Sequence, residues 1–276
     1  MKPTRGLAPL ADGRSIAYET HGQIDHHIPL LLIRPLGGTM ALWGPFRAAL
    51  AQTFPIIAFD LCGTGGSSHD TGWPSTRGIA ADALALLDHL NVPRAHVFGE
   101  SLGGMSATWL AIDAGDRVAG LVIASAPACG LDFSRAGATR GVAMATRFAS
   151  RTDNVEARLV HLTLSARFRL DHPDQVKHIE ALIRAEPATR TSLTRHAIAG
   201  GLHDARKHLQ DISAPCLVLA GEFDQLLGVA PPRRLSEGIR GGRFDVVQAA
   251  GHAITLEQPI TSAARIVQFL EALGGA

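Results

Sequence analysis

A serine at a predicted sharp turn is the first residue in the chain that suits nucleophilic chemistry. Ser101 is the central residue of a Gly-x-Ser-x-Gly segment (99–103), which follows a short apolar run and precedes a helical pattern. Such a turn projects the serine hydroxyl above a sheet. The next amide, that of Leu102, lies at a helix N-terminus, where negative charge is favoured. We therefore predict Ser101 as a nucleophile and the Leu102 amide as a donor to an oxyanion.

Asp224 and His252 are the candidate acid and base for this serine. Asp224 follows an apolar, strand-like run, and catalytic groups gather at the carboxyl ends of strands in an open sheet. His252 lies between another strand-like run and the last helical pattern. The chain order Ser101, Asp224, His252 is one of the known orders of a Ser–His–Asp triad. The predicted chemistry is acyl transfer, with His252 accepting the Ser101 proton and Asp224 orienting the histidine.

The loop after the first continuous apolar run supplies a candidate second oxyanion donor. Pro35 has no N–H, so the Leu36 amide is the predicted donor. We predict that Arg34, Gly37 and Trp43 contact the substrate. The Arg34 charge suits an anionic substrate and suits a salt bridge at the strand end equally well.

The strands and helices that position these residues can be predicted from the sequence, in which apolar runs alternate with helical patterns. Runs that are apolar on both faces are typical of parallel strands covered by helices on each side. The apolar runs are 30–33, 56–59, 97–98, 121–123 and 216–219. The helical patterns are 79–90, 102–114 and 260–273. This alternation predicts an α/β fold with a mostly parallel, doubly wound sheet, to which 16–19 adds antiparallel edge strands.

Residues 131–209 interrupt the alternation, because they contain helical patterns and no comparable strand-like run. We therefore predict a core made of residues 1–130 and 210–276, with 131–209 as a helical insertion. The large apolar residues of the insertion suit its own core more than a substrate pocket; they are Phe133, Met144, Phe148, Leu162 and Phe168.

The composition argues against several other classes of protein. A chain of 276 residues with 46% hydrophobic and 18% charged residues can bury a sizeable core. Lysine and arginine total 26 and aspartate and glutamate total 25, so no charge excess indicates nucleic acid or a membrane surface as a partner. The first 15 residues lack the apolar stretch of a signal peptide, and the three cysteines suggest no disulfide framework. We expect a cytoplasmic monomer or homodimer.

No metal or organic cofactor is expected. The sequence contains no H-E-x-x-H segment and no G-x-G-x-x-G segment after a strand-like run. The expected partner is therefore a small-molecule substrate alone.

Taken together, these segments resemble the alpha/beta-hydrolase fold family over essentially the whole chain. Residues 60–67 are similar to the family's D-x-x-G-x-G-x-S turn, and 221–224 and 251–259 resemble its acid and histidine segments. The insertion 131–209 matches the position of the family's helical cap.

Three positions depart from the family pattern. Arg34-Pro35 stands where the family usually has His-Gly, and Thr64 replaces the histidine of the D-x-x-G-H-G turn. Glu100 occupies the variable position beside the serine.

Within the family, Leu36-Gly37 with Leu42-Trp43 resembles 3-oxoadipate enol-lactonases and their relatives, as do 101–105 and 109–111. The resemblance implies a serine hydrolase that cleaves a carboxylic ester or lactone of a small organic substrate through an acyl-enzyme. Three alternatives stay open on the same fold: an acyltransferase or thioesterase, a C–C bond hydrolase acting on a ring-cleavage product, and a ligand-binding receptor.

Overall fold

A sheet of eight strands forms the centre of the computed structural model, which describes residues 3–24, 27–69, 72–132 and 155–274. The strands are β1 (Thr4–Pro9), β2 (Ser15–His21), β3 (Leu30–Ile33), β4 (Ile56–Phe59), β5 (Ala95–Glu100), β6 (Val118–Ala124), β7 (Cys216–Gly221) and β8 (Arg243–Val247). Phe133, Met144 and Phe148 lie outside the described residues.

The strand order is β1-β2-β4-β3-β5-β6-β7-β8. The pairs β1–β2 and β2–β4 are antiparallel, and the strands from β4 to β8 are mutually parallel. The predicted α/β class and mostly parallel sheet are therefore confirmed, and the antiparallel strands lie at one edge. Non-consecutive neighbours such as β3 and β5 require crossover connections, which the helices supply.

Helices join and cover the strands. They are α1 (Gly44–Leu50), α2 (Thr76–His89), α3 (Leu102–Asp113), α4 (Val155–Thr163), α5 (Ala166–Asp171), α6 (Pro173–Ala185), α7 (Arg190–Gly201), α8 (Ala230–Gly238), α9 (Ile254–Glu257) and α10 (Pro259–Gly274). Three short 3₁₀ turns lie at Met40–Trp43, Gly115–Arg117 and Arg206–Asp211.

Both faces of the sheet are apolar because each is covered by helices. Along β3, Leu31 and Ile33 join the cluster that contains α2 and α3, whereas Leu30 and Leu32 join the cluster that contains α1 and α10. All four side chains have no exposed surface. This arrangement explains why β3 is continuously apolar: successive residues point to opposite faces, and both faces are buried.

Helices α4 to α7 lie between β6 and β7, and no strand occurs in the described part of that stretch. A third apolar cluster joins α4, α5 and α6 to Leu42 and Ala253 of the rest of the molecule. Phe168 is a buried member of this cluster, so this side chain belongs to the interior of the helical region. The helices therefore pack directly above the loop that follows β3 and the loop that precedes α9.

Candidate active site

The turn between β5 and α3 holds Ser101 in an unusual conformation. Its φ of 56° and ψ of −116° lie in a region that a residue with a side chain rarely adopts. The chain folds back so tightly here that a Cβ on Gly99 would lie 2.2 Å from the Gly103 carbonyl oxygen. Glycine at both positions is therefore a steric requirement of the turn that presents the serine.

The structure brings Ser101, His252 and Asp224 into one hydrogen-bonded chain. His252 Nε2 lies 2.9 Å from Ser101 Oγ, and His252 Nδ1 lies 2.8 Å from Asp224 Oδ2. The other carboxylate oxygen, Asp224 Oδ1, accepts hydrogen bonds from the amides of Leu226 and Leu227, both at 2.9 Å. Asp224 and His252 are buried, whereas Ser101 keeps some exposed surface.

The loops carrying the aspartate and the histidine meet because their backbones are in contact. A Cβ on Gly221 would lie 1.9 Å from the Gly251 carbonyl oxygen, so only glycine allows this approach. The Phe223 amide donates to the Ala250 carbonyl at 2.8 Å. These contacts fix Asp224 and His252 at the same edge of the sheet as Ser101.

The electrostatics of the site favour a protonated His252. Burial is the largest influence and lowers the pKa of His252, but the carboxylates of Asp224, Glu100 and Glu257 together outweigh it, so the pKa lies above its ordinary value. An imidazolium formed at this position is therefore stabilised by the surrounding carboxylates.

The two predicted oxyanion donors lie on segments that touch. The Leu102 amide is at the first residue of α3, and no acceptor for it or for the Leu36 amide lies within the residues described. A Cβ on Gly103 would lie 2.1 Å from the Ile33 carbonyl oxygen, so the start of α3 packs against the start of the loop that carries Leu36. This contact places both amides on the Ser101 side of the sheet edge.

Helix α7 packs against the same loops. Gly37 has a φ of 70°, and a Cβ there would lie 2.5 Å from Leu193 of α7. A Cβ on Gly200, in the same helix, would contact Leu102 at 3.5 Å. Gly37, which was predicted to contact the substrate, thus lies at a close contact between this loop and α7.

Arg34 and Trp43, the other two predicted substrate contacts, are interior residues. Trp43 has no exposed surface and packs against Phe46 and Phe98. The Arg34 guanidinium lies 4.1 Å from the centre of the Trp43 ring, and the residue is 2% exposed. Their placement gives neither side chain a broad free face toward a substrate, and it suggests a role beneath the loop instead.

Two buried carboxylates near the histidine were not assigned a site role from sequence. Glu100, the residue before Ser101, accepts hydrogen bonds from the Thr255 amide at 3.2 Å and from its hydroxyl at 2.8 Å. Glu257 accepts the amide and the hydroxyl of Ser165, both at 2.7 Å. The partners are 155 and 92 residues apart in the chain, so no local spacing could have revealed these contacts. The only available signal was the unusual acidic residue beside Ser101.

Two structural searches gave negative results within the described ranges. No group of three or more His, Cys, Asp or Glu side chains in residues 3–24, 27–69, 72–132 and 155–274 is placed to hold a metal ion. No helix in those residues has the length and apolar character needed to cross a membrane.

Comparison with known proteins agrees with the observed fold. A family model described as alpha/beta hydrolase fold matches residues 28–259. The chain is 29% identical over 245 residues to a 3-oxoadipate enol-lactonase 2 of Acinetobacter baylyi, covering 89% of each chain. It is 31% identical over 267 residues to a putative carbamate hydrolase RutD of Azorhizobium caulinodans, covering 91% of this chain and 94% of the relative.

A solved structure gives the same result. A hydrolase from Pseudomonas aeruginosa PA01 superposes with a TM-score of 0.85 at 27% identity, covering 97% of this chain and 98% of the other. The similarity therefore extends over almost the full length of both proteins.

Proposed function

Because the chain belongs to the alpha/beta hydrolase fold family, we propose that it is a serine hydrolase that cleaves a carboxylic ester or lactone of a small organic substrate. The observation that carries the proposal is the hydrogen-bonded chain from Ser101 through His252 to Asp224. A nucleophile, a base within hydrogen-bond distance and an acid that orients the base are the parts that acyl transfer to a serine requires.

In the proposed reaction, Ser101 Oγ attacks the substrate carbonyl while His252 Nε2 accepts the hydroxyl proton. The Nδ1–H of His252 donates to Asp224, which holds the ring and stabilises the imidazolium. The negative charge on the former carbonyl oxygen is stabilised by the amides of Leu36 and Leu102. His252 then protonates the leaving alcohol oxygen, and the acyl group stays on Ser101.

Water completes the cycle by the reverse proton movements. His252 takes a proton from water as the water oxygen attacks the acyl-enzyme, and the proton returns to Ser101 Oγ when the acid leaves. In a lactone the alcohol and the acid belong to one molecule, so the product is a single hydroxy acid. None of these steps calls on a metal or an organic cofactor.

Two observations support the proposed substrate class and compartment. The enol-lactonase of Acinetobacter baylyi, a relative over 89% of the chain, is named for lactone cleavage. Cys62, Cys129 and Cys216 are all buried, and none of them forms a disulfide bond within the described residues, which supports a reducing, cytoplasmic location. The proposal also takes residues 131–209 as a helical cap over the site and the protein as a monomer or homodimer.

Carbamate hydrolysis is a second candidate, because relatives at 30% and 31% identity carry that name as a putative activity. A carbamate carbonyl would be attacked by the same serine, and the leaving group would be an amine or ammonia instead of an alcohol. A panel that pairs each ester with its carbamate would separate the two candidates.

The test of the nucleophile is the intact mass of the protein after incubation with an uncharged fluorophosphonate probe. We expect one stoichiometric adduct on the wild type and none on Ser101→Ala, which lacks the attacking oxygen. Loss of this oxygen should also lower ester turnover on the order of 10⁶-fold.

Ser106→Ala is the matched control, because Ser106 is a buried serine in α3 whose hydroxyl donates to the Leu102 carbonyl at 2.9 Å. This variant should be labelled like the wild type. An adduct on Ser101→Ala, or a folded wild type that stays unlabelled, would contradict the proposed nucleophile.

A further inference from the structure

Two of the three departures from the family pattern lie side by side. In the parallel pair β3–β5, Leu32 is opposite Phe98 and Ile33 is opposite Gly99. The next residues along the two strands are Arg34 and Glu100. Leu32 and Phe98 both lie in the cluster that contains α1 and α10, and side chains alternate along a strand, so Arg34 and Glu100 point to that same face.

Both side chains are almost completely buried. Arg34 is 2% exposed and Glu100 is 1% exposed. Arg34 Nε and Nη1 are buried and have no hydrogen-bond acceptor in the described part of the chain. A buried guanidinium with two unsatisfied nitrogens is costly unless opposite charges lie close by. The strand registers place Glu100 beside Arg34 on the β5 side and Asp60 on the β4 side. Of these two carboxylates, Glu100 is the one that also reaches the histidine segment.

Glu100 also reaches the segment that carries the base. Both of its carboxylate oxygens accept hydrogen bonds from Thr255, which lies three residues after His252 in the first turn of α9. Accepting through both oxygens is the behaviour of an ionised carboxylate. Glu100 is the residue before Ser101 in the chain, and its hydrogen bonds reach the segment that contains His252. Its charge also faces Arg34, at the start of the loop that carries Leu36.

We propose that Arg34 and Glu100 form one buried charge pair that ties the loop after β3 to the histidine segment, and that Glu100 is a positioning residue for His252. The role assigned to Glu100 rests on the proposed hydrolase function. Arg34 in this assignment acts beneath the loop, through Glu100, and makes no contact with the substrate.

The charges around the pair agree with this assignment. Burial lowers the pKa of Arg34 to about 10, against the opposing charges of Glu100 and Asp60, so the guanidinium is positive at neutral pH. Burial raises the pKa of Glu100, and Arg34 is the main group that opposes this rise. The other charged groups that act on His252 are Asp224 and Glu257, and Glu100 adds to their effect.

The test uses Arg34→Met, Glu100→Gln and the double variant, each of which keeps the approximate size of the side chain. If the two charges compensate each other, each single variant leaves the other buried charge without this partner and lowers the urea midpoint of unfolding. The double variant removes both charges, so it should recover most of the loss, and the two effects should be clearly less than additive. Additive losses would overturn the charge pair.

The positioning role is tested by the rate at which the uncharged fluorophosphonate labels Ser101, measured across pH. Labelling needs a neutral His252, so its rate falls on the acid side as the histidine is protonated. Glu100→Gln removes a charge that favours the imidazolium. The fall of the labelling rate on the acid side of the pH profile (the acid limb) should therefore move to lower pH. Either single variant should also slow labelling by up to about 100-fold, the cost of misplacing a reacting group by about 1 Å.

Two control variants separate positioning from general destabilisation. Glu19→Gln alters another buried carboxylate. Glu19 lies on β2, three strands from β5 in the sheet order, and pairs with Arg47 of α1. This variant should lower stability without moving the acid limb. Arg34→Lys keeps the positive charge and should label faster than Arg34→Met.

The outcomes are distinct. An acid limb that stays in place in Glu100→Gln would overturn the positioning role. A wild-type labelling rate in Arg34→Met would show that Arg34 does not act on the site through Glu100, and would overturn that part of the proposal. Failure of the wild type to label at all would reject the proposed nucleophile and with it the positioning role. The urea unfolding of the two single variants and the double variant would still decide whether the charge pair exists.

Discussion

Asp224 is held by more than its contact with His252. One carboxylate oxygen accepts two backbone amides, those of Leu226 and Leu227, and this leaves the second oxygen facing the histidine ring. The carboxylate cannot rotate without losing both amide hydrogen bonds. The aspartate therefore dictates that His252 carries its proton on Nδ1 and offers Nε2 to Ser101 as an acceptor.

Asp224→Asn should expose this dependence. The asparagine oxygen would take the place that accepts the two amides, so its NH₂ group would face His252 Nδ1. The histidine would then carry its proton on Nε2 and could not accept the Ser101 proton. We expect turnover of an ester to fall roughly 10⁴-fold. The free energy of unfolding, measured in urea, should stay within about 1 kcal/mol of the wild type.

The matched control is Glu222→Gln, the same change of chemistry two residues away. Glu222 is exposed and accepts the Ala249 amide at 2.9 Å. This variant should keep close to wild-type turnover. An Asp224→Asn enzyme within tenfold of the wild type would assign the acid to another residue.

At the scale of the elements, the junction between β3 and α3 controls how the site is assembled. Gly103 in the first turn of α3 lies against the carbonyl oxygens of Ile33 and Arg34, at distances that leave no room for a Cβ. The start of the helix and the end of the strand are therefore in backbone contact. The distance between the two predicted oxyanion donors depends on this contact.

Gly103→Ala should lower both stability and activity. Its Cβ would meet the Ile33 carbonyl oxygen at 2.1 Å, which is backbone and cannot rotate away. We expect a loss of roughly 1–3 kcal/mol in the free energy of unfolding, measured in urea, and slower fluorophosphonate labelling.

Gly201→Ala is the control for the intrinsic preference of alanine in helices. Gly201 ends α7, and no atom lies within 4 Å of the position where its Cβ would be. This substitution should be neutral or stabilising by up to about 1 kcal/mol. Equal stability of the two alanine variants would show that the β3–α3 contact leaves room for a Cβ at Gly103.

The elements also show what could be predicted from the sequence. The continuously apolar runs identified β3, β4, β6 and β7. A strand that is buried on both faces is apolar at every position, so it is not confused with a helix that is apolar on one face only. Helix α8 was not predicted, although Pro231 and Pro232 at its start are a recognised sign of a helix N-terminus. Its polar face and short length gave too few apolar positions for a helical pattern.

The site was predictable where its residues follow strands. Ser101, Asp224 and His252 each follow a strand-like run, so their common position at one sheet edge follows from topology. The contacts of Glu100 and Arg34 depend on the register between β3 and β5, and register is a property of the folded sheet. The burial of Trp43 depends likewise on α1 and β5, which are distant in the sequence from each other.

For the molecule as a whole, buried histidines tie stability to pH. His203 lies after α7, is 2% exposed and is hydrogen-bonded through Nδ1 to the Thr76 hydroxyl at the start of α2. Burial lowers the pKa of His203 to about 4. The unfolded chain takes up a proton at this residue below about pH 6.5, whereas the folded chain does so only near pH 4, so acid favours the unfolded state.

We therefore expect the free energy of unfolding of the wild type, relative to His203→Gln, to fall as the pH decreases from 7 to 4. The pKa of His203 is about 6.5 in the unfolded chain and about 4 in the folded protein, and this difference corresponds to about 3 kcal/mol of unfolding free energy. The difference between the two proteins isolates His203 from the buried carboxyl groups, whose raised pKa values act in the opposite direction.

His208→Gln is the corresponding control, because His208 is exposed on the 3₁₀ turn that follows. Its stability should run parallel to that of the wild type across the pH range. A constant difference between the wild type and His203→Gln from pH 7 to 4 would show that His203 titrates normally in the folded protein.

Glu257 limits how freely the helices between β6 and β7 can be replaced by those of another protein. Its carboxylate belongs to the same short segment as His252, yet it accepts the hydroxyl and amide of Ser165, whose hydroxyl also caps the start of α5. The helices between β6 and β7 are thus not a self-contained module. A chimera that receives these helices from another hydrolase must bring a matching hydroxyl and amide to this carboxylate, or replace Glu257 at the same time. Retargeting such an enzyme by grafting is consequently a redesign of two segments, one of which contains His252.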